Sequence, residues 1–458
     1  MRGSSGWLCL VLGAALAVPS RTAGAQRQLR FDFPELHIGI AEKDGGPTGA
    51  TVFFFPGKVK AAVDVRGGAP GTINTDALRL GYETRMMDAV VFAGGSWYGL
   101  AAATGVADEI KAKRGDAGEW GSIAGVVGAI IFDLGGRRLS TETPDYELGR
   151  SALRSASSGG FPLGARGAGR FAMQGTYFAA TSDYADWPHS GQGGAFRQLG
   201  STKIAVFTVV NSLGSIVDRN GRIVSCGATK HPIRDCGTIA DRLRQSSDRV
   251  RERATASTPA APSLDDSAPT QNTTITLVVT NQRLPSWALQ RLAVQVHTSM
   301  ARAIQPFGTQ RDGDVLYAVT TDQVENANLS PEALGLVASE VAWDAVLSSV
   351  PDREPAGDVQ RVTADAASLE EFVGEHEFAR GARLLVRRRD TRLFAEAVGR
   401  GGVYFPAGRE VELSPVGQAE FIVVTARRDR VRFERRDGRV TGLTLNPGQW
   451  AQRASRVR

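Results

Sequence analysis

One join constrains this chain more than any other feature. Residues 254–271 read ATASTPAAPSLDDSAPTQ, rich in Pro, Ser, Thr and Ala and nearly free of large hydrophobes. Such a stretch cannot bury enough apolar surface to order itself, so it is expected to be a flexible, protease-accessible loop. A single residue, Asn272, separates it from TTITLVVTN (273–281), an unbroken run rich in β-branched residues that suits a strand. Any fold must therefore set a loose segment directly against a rigid one.

The flanking sequence shows what the strand belongs to. Residues 30–250 alternate β-like runs, ATVFFFP (50–56), AVVFAGG (89–95) and IAVFTVV (204–210), with glycine-rich turns and small-residue helical stretches. That alternation predicts a mixed α and β domain. Beyond the strand, SWALQRLAVQVHTSMARAI (286–304) puts Leu289, Leu292, Val296, Met300 and Ile304 on one helical face, with Met300 and His297 read as core and rim residues rather than ligands. Residues 314–320 read as a strand. Ser330-Pro331-Glu332 opens another helix, with a Ser N-cap, Pro in the first turn and an acid near the start. From about Glu354 short alternating runs separated by turn residues predict a separate all-β domain over 355–458, a meandering antiparallel sheet or small barrel. Asp437-Gly438 is a strong hairpin signal within it.

Charge and targeting narrow the setting. The 458-residue chain carries a net charge of +6, and residues 355–458 hold 19 Arg and no Lys against 14 acidic residues. No aromatic-interleaved basic groove accompanies them, so they read as a solvated arginine-rich surface and no nucleic-acid partner is expected. Residues 1–25 combine Arg2, an apolar stretch (6–18) and Ala23-Gly24-Ala25 before Gln26, the pattern of a secretory signal peptide. A secreted or periplasmic protein is expected. The apolar run is shorter than the roughly 20 residues a spanning helix needs, and no later segment is long and apolar enough. Once Cys9 leaves with the signal, Cys226 and Cys236 remain. An exported compartment permits a disulfide between them, but spacing alone does not fix the Cα separation, so a bridge and two reduced thiols both stay open.

Familiar catalytic devices are missing. GGSWYG (94–99) fails G-x-S-x-G because Tyr98 stands where glycine is required. The five histidines form no ligand pair, so neither a metal nor a cofactor is expected. Gly67-Gly68 and Gly94-Gly95 match no phosphate-binding loop and read as tight turns and close backbone packing. The join at 272–273 offers another device. A threonine that becomes a chain N-terminus carries its own base, an α-amine of reference pKa about 7.7 to 8.0. Cleavage of the Asn272–Thr273 bond would make Thr273 such a residue. The same residues also form an N-x-[ST] glycosylation sequon, and Thr273-Thr274 can simply begin a strand.

Longer motifs bear on that choice. GPTGATVFFFP (46–56), DVRGGAPGT (64–72), AVVFAGGSWYGLAAATGV (89–106), VVNSLGSIVDRNG (209–221), NTTITLVVTN and RDGDVLYAVTT (311–321) resemble, in order, the L-aminopeptidase/D-esterase family. These are the DmpA-like peptidases, which include β-aminopeptidases and nylon-oligomer hydrolases. The resemblance covers about 35–350 and implies an α+β fold: an αββα sandwich akin to the N-terminal-nucleophile hydrolases, here a self-processing domain over 30–353. It further implies two associated chains, 26–272 and 273–458, with Thr273 as nucleophile. Asn211 then matches the asparagine facing it, and Asp312 and Asp314 match an acidic pair beside it. Family members assemble as oligomers. Two departures stand out. GQGGAF (191–196) replaces a K-G-G-x-G segment, and no Lys or Tyr partner is assigned among Tyr177, Tyr146 and the region of Phe132. EEFVGEHEF (370–378) and VRFERRDGRVTGLTL (431–445), which open and end the last domain, resemble the small lipocalin-like β domain appended to exported hydrolases. The expectation is an exported self-cleaving aminopeptidase or amidohydrolase acting on peptides or small amides with a free amino end. The alternative is an inactive binding or envelope-associated protein of the same fold.

Overall fold

The computed structural model describes residues 27–82, 86–115, 118–134, 138–178, 187–226, 236–255, 272–351, 366–406, 408–425, 429–448 and 450–457. The signal-peptide reading (1–25) and nearly all of the loop 254–271 lie outside the described residues. Only the loop's first two residues are described, and they belong to helix α3, Ile239–Thr255.

A ten-stranded sheet dominates. Its principal strands are β1 (His37–Lys43), β2 (Thr48–Val65), β3 (Met86–Ala93), β4 (Val126–Ile130), β5 (Gln192–Leu199), β6 (Thr202–Asn211), β7 (Thr273–Gln282) and β8 (Val315–Val324). The long β2 belongs to two halves. Its first part pairs with β1 and β3, and its last six residues pair with β8. A register shift between Phe54 and Val59 separates the two parts. The sequence reading ended this strand at Pro56, yet it runs on to Val65. Pro56 has no N–H to donate and falls within the interruption, where none is required.

The pleat turns this bent sheet into layers. Alternate residues of both halves, Phe53 and Phe92 on one side and Phe207, Leu277 and Tyr317 on the other, bury into a single core. Phe53 and Phe207 lie on strands that are not neighbours, yet their rings are 5.3 Å apart. The two halves therefore face each other. The opposite faces carry helices. Val52, Val91 and Ala93 pack with Ala102, Val106 and Ala152 of α1 (Ala101–Lys113) and α2 (Tyr146–Arg154). Val206, Val278 and Leu316 pack with α4 (Ser286–Ser299) and α5 (Pro331–Ser348). The result is an αββα sandwich. Ser330 caps α5, its hydroxyl accepting Ala333 N–H at 3.3 Å, with Pro331 in the first turn.

Helix α4 is shorter than its periodicity suggested. It ends at Ser299, and Ile304 instead pairs with Ile216 in a small antiparallel ladder. His297 is not a rim residue: it is fully buried, and its Nδ1 lies 2.9 Å from Asp64 Oδ2. Among the described residues no helix is long and apolar enough to cross a membrane.

Beyond the sandwich, eight antiparallel strands between Gly374–Ala379 and Gln452–Arg456 close into a barrel. Leu384, Leu393, Phe421, Phe433 and Leu443 fill it. Arginines of the alternate positions face outward in ion pairs such as Arg387–Glu396 and Arg432–Glu420. Arg436 and Arg439 pair across the turn at Asp437-Gly438, where both residues have positive φ, 51° and 76°.

Candidate active site

The site grows from the antiparallel pairing of β6 with β7. Their register ends on Asn211 opposite Thr273. A parallel bridge then joins Asn272 to Asp312. Asn272 N–H donates to Arg311 O at 3.2 Å, and Gly313 N–H donates to Asn272 O at 2.8 Å. Thr273 Oγ1 donates to the same carbonyl at 2.6 Å. Asn272 Nδ2 also donates to Thr176 Oγ1 at 3.3 Å. The carbonyl of residue 272 is therefore held by two donors.

The 311–314 turn is held in turn by the glycines of DVRGGAPGT. Arg66 and Gly67 N–H groups donate to Asp314 O (3.0 and 3.2 Å), Gly68 N–H to Thr309 O (3.1 Å), and Ala69 N–H to Asp312 O (2.8 Å). A Cβ on Gly67 would strike Asp314 N and Asp312 O. Close approach of two backbone segments explains the glycines of this motif. Gly94-Gly95 is similar: Gly95 N–H donates to buried Asp133 at 2.7 Å, and a Cβ on Gly94 would strike the same carboxylate.

Both acids of the D-G-D turn are buried. Asp314 Oδ1 accepts Thr274 N–H at 2.6 Å and its Oδ2 accepts Gly308 N–H at 3.0 Å. Asp312 accepts Leu213 N–H (3.3 Å) on Oδ1, and Thr309 N–H (3.1 Å) and Oγ1 (2.7 Å) on Oδ2. Burial pushes both carboxyls above their ordinary value, Asp314 strongly because Asp312 adds a like charge. The amide bonds oppose the shift without cancelling it. Such a pair suits a site where a cation is to be accommodated.

The Asn211 side chain is gripped at both ends. Its Oδ1 accepts Met173 N–H at 3.1 Å, and its Nδ2 donates to Phe132 O at 3.1 Å. Thr176 brings Tyr177 close to the site, anchored by its N–H on Leu213 O at 2.9 Å. Tyr146 instead begins α2 and interacts with Asp108. Gln192, in the segment that departs from K-G-G-x-G, is fully buried, taking a bond from Thr51 and donating to Pro162 O at 2.8 Å. Cys226 and Cys236 are joined in a disulfide, with Cα atoms 5.8 Å apart.

Thr273, Asn211, Asp312 and Asp314 thus converge on one point. Sequence reasoning missed Gly313 and Met173 and reached Phe132 only as a region considered for a Lys or Tyr partner; all three act through main-chain groups that residue type does not advertise. Only the glycine between the two aspartates offered a signal.

Known proteins are similar to this chain in sequence. Residues 31–362 match the profile of Peptidase family S58. A 6-aminohexanoate-oligomer endohydrolase of Paenarthrobacter ureafaciens is 38% identical over 350 residues, 72% of this chain and 88% of its own. An uncharacterized aminopeptidase of Mycobacterium bovis is 32% identical over 339 residues, 70% of this chain and 90% of its own. A solved Burkholderia sp. beta-aminopeptidase aligns at 17% identity with a TM-score of 0.48, over 79% of this chain and 92% of its own. With a family profile spanning most of its length and relatives more than 30% identical over at least 70% of it, the chain belongs to Peptidase family S58 and is a hydrolase.

Proposed function

We propose that this protein is an exported hydrolase that cuts its own Asn272–Thr273 bond and then uses Thr273, now an N-terminus, as nucleophile on amides with a free amino end. One observation carries the reading: the Asn272 carbonyl receives both Thr273 Oγ1 and Gly313 N–H, while Thr273 stands opposite Asn211.

In self-cleavage Thr273 Oγ adds to the Asn272 carbonyl carbon, and Gly313 N–H takes the charge that develops on oxygen. The C–N bond breaks, the nitrogen gains the proton, and an ester links Asn272 to Thr273. Water hydrolyses that ester, leaving an Asn272 carboxylate and a free amine on Thr273. In turnover the amine takes the hydroxyl proton as Oγ attacks a substrate amide. The departing amine is protonated, and water releases the acyl group. Asn211 supplies an amide donor for the oxyanion, where loss of such a donor costs about 2.7 to 4 kcal/mol. Asp312 and Asp314 lie beside the new ammonium, which favours their charged forms and raises the amine's own pKa. The names of the relatives, an oligomer endohydrolase and an aminopeptidase, support amides as the substrate class.

Intact-mass analysis of purified protein tests this. Two fragments meeting at 272/273, restored to a single chain by Thr273→Ala and still formed by Thr273→Ser, are expected. An uncut wild type with no amidase activity would sink the reading.

A further inference from the structure

The barrel does not stand apart from the sandwich. Tyr404 and Trp450 meet Phe171, Met173 and Trp187 in an apolar cluster. Trp450 stacks on His189, ring centroids 4.1 Å apart and planes 16° from parallel, and Tyr404 lies 4.7 Å from the same imidazole. Tyr404 OH donates to Trp187 O at 3.0 Å. Tyr404 is itself fixed to the barrel, its N–H donating to Gln452 Oε1 at 2.6 Å.

The other side of this segment faces the site. His189 Nδ1 lies 3.1 Å from Ala172 O, Ser190 N–H donates to Ala172 O at 3.1 Å, and Gln174 N–H donates to Pro188 O at 3.0 Å. The next residue after Ala172 is Met173, whose N–H fixes Asn211 Oδ1. The second grip on Asn211 follows the same plan. Phe132 O accepts the Asn211 amide, the adjacent Asp133 O accepts Arg138 Nε at 2.8 Å, and Leu139 packs against the barrel's core. Both main-chain groups that orient the Asn211 amide therefore lie on segments backed by the barrel.

We infer that the C-terminal barrel is a structural wall of the active site, and that Trp450 and Tyr404 are positioning residues that set the orientation of the Asn211 amide. The inference rests on the role proposed above for Asn211. The barrel's contact includes aromatic packing, in which rings favour particular stacked and edge-to-face arrangements. Its target is a group whose usefulness depends on direction, since an oxyanion donor must point where charge develops.

Kinetics of the full-length protein test it. Trp450→Ala should lower kcat by roughly tenfold to a hundredfold, the loss expected for a small displacement of a catalytic group, while KM stays within about twofold of wild type. Trp450→Phe keeps a stacking ring and should recover most of the rate. Arg432→Ala, on the barrel's outer surface, should leave both constants unchanged. A Trp450→Ala protein that melts cooperatively and keeps wild-type kcat would overturn the inference while leaving the Thr273 reading intact. Wild type lacking Thr273-dependent activity would instead sink that reading. In that case the Asn211 side-chain amide resonances, assigned by their loss in Asn211→Asp, decide: a shift in Trp450→Ala supports the bracing, and unchanged resonances overturn it.

Discussion

Gly313→Ala tests the proposed chemistry at its narrowest point. A Cβ on residue 313 would lie 2.7 Å from Thr273 Oγ1 and 2.8 Å from Ala69 O. Both fall well inside the roughly 3.5 Å at which non-bonded heavy atoms rest. The two obstacles lie on different segments, so moving off one does not relieve the other. The turn must retreat, and with it the Gly313 N–H that reaches Asn272 O at 2.8 Å. Loss of an oxyanion donor costs about 2.7 to 4 kcal/mol, or 10² to 10³ in rate. The overpacking itself costs about 1 to 3 kcal/mol of stability, which a folded protein of this size withstands. The assay is a time course of intact mass on freshly translated protein, with Gly57→Ala as control because a methyl there meets nothing within 4 Å. The half-time of cleavage should lengthen at least about a hundredfold in Gly313→Ala and not at all in Gly57→Ala. A Gly313→Ala protein that processes at the wild-type rate would refute the reasoning.

Other predictions follow from the same geometry. Asp314→Asn presents an amide nitrogen to one of two N–H donors, so it should cost about 1 to 3 kcal/mol in denaturant titration. It should also change pH dependence. Burial lifts Asp314 well above its ordinary 3.8 and raises Asp312 as well, so their stabilising contribution is complete below that pH and is lost as pH rises through the raised values. Uncut Thr273→Ala should therefore lose more Tm between pH 4 and pH 7 than Thr273→Ala/Asp314→Asn; equal slopes would contradict it. Phe207→Ala removes a ring packed on Phe31, Phe53 and Phe161 and should cost about 3 to 5 kcal/mol by chemical denaturation. Removing both Cys226 and Cys236 should lower stability by up to about 3 kcal/mol, measured by calorimetry against the oxidised protein.

Much of the fold was legible because its signals are local. The β-branched run at 273–281, the Ser330 cap and the Asp437-Gly438 turn each act over a few residues. The bend in β2 was not legible, because Pro56 reads locally as an end and only tertiary pairing carries the strand past it. The convergence of Asn211 and Thr273 came from family resemblance: a register between strands more than sixty residues apart leaves no local trace. His297 was misread for a related reason, since its partner Asp64 is distant in sequence. The barrel's grip on Trp187 and His189 was equally hidden, because no periodicity links Trp450 to a segment so far upstream.

The depth of the proposed cleavage point has a kinetic consequence. Asn272 and Thr273 are only 1% and 3% exposed, so an external protease cannot seat their bond in its own cleft. Cleavage there, as proposed, would be unimolecular, with a first-order rate independent of protein concentration, unaffected by dilution or by inhibitors of other peptidases, so that each folded molecule would keep its own clock.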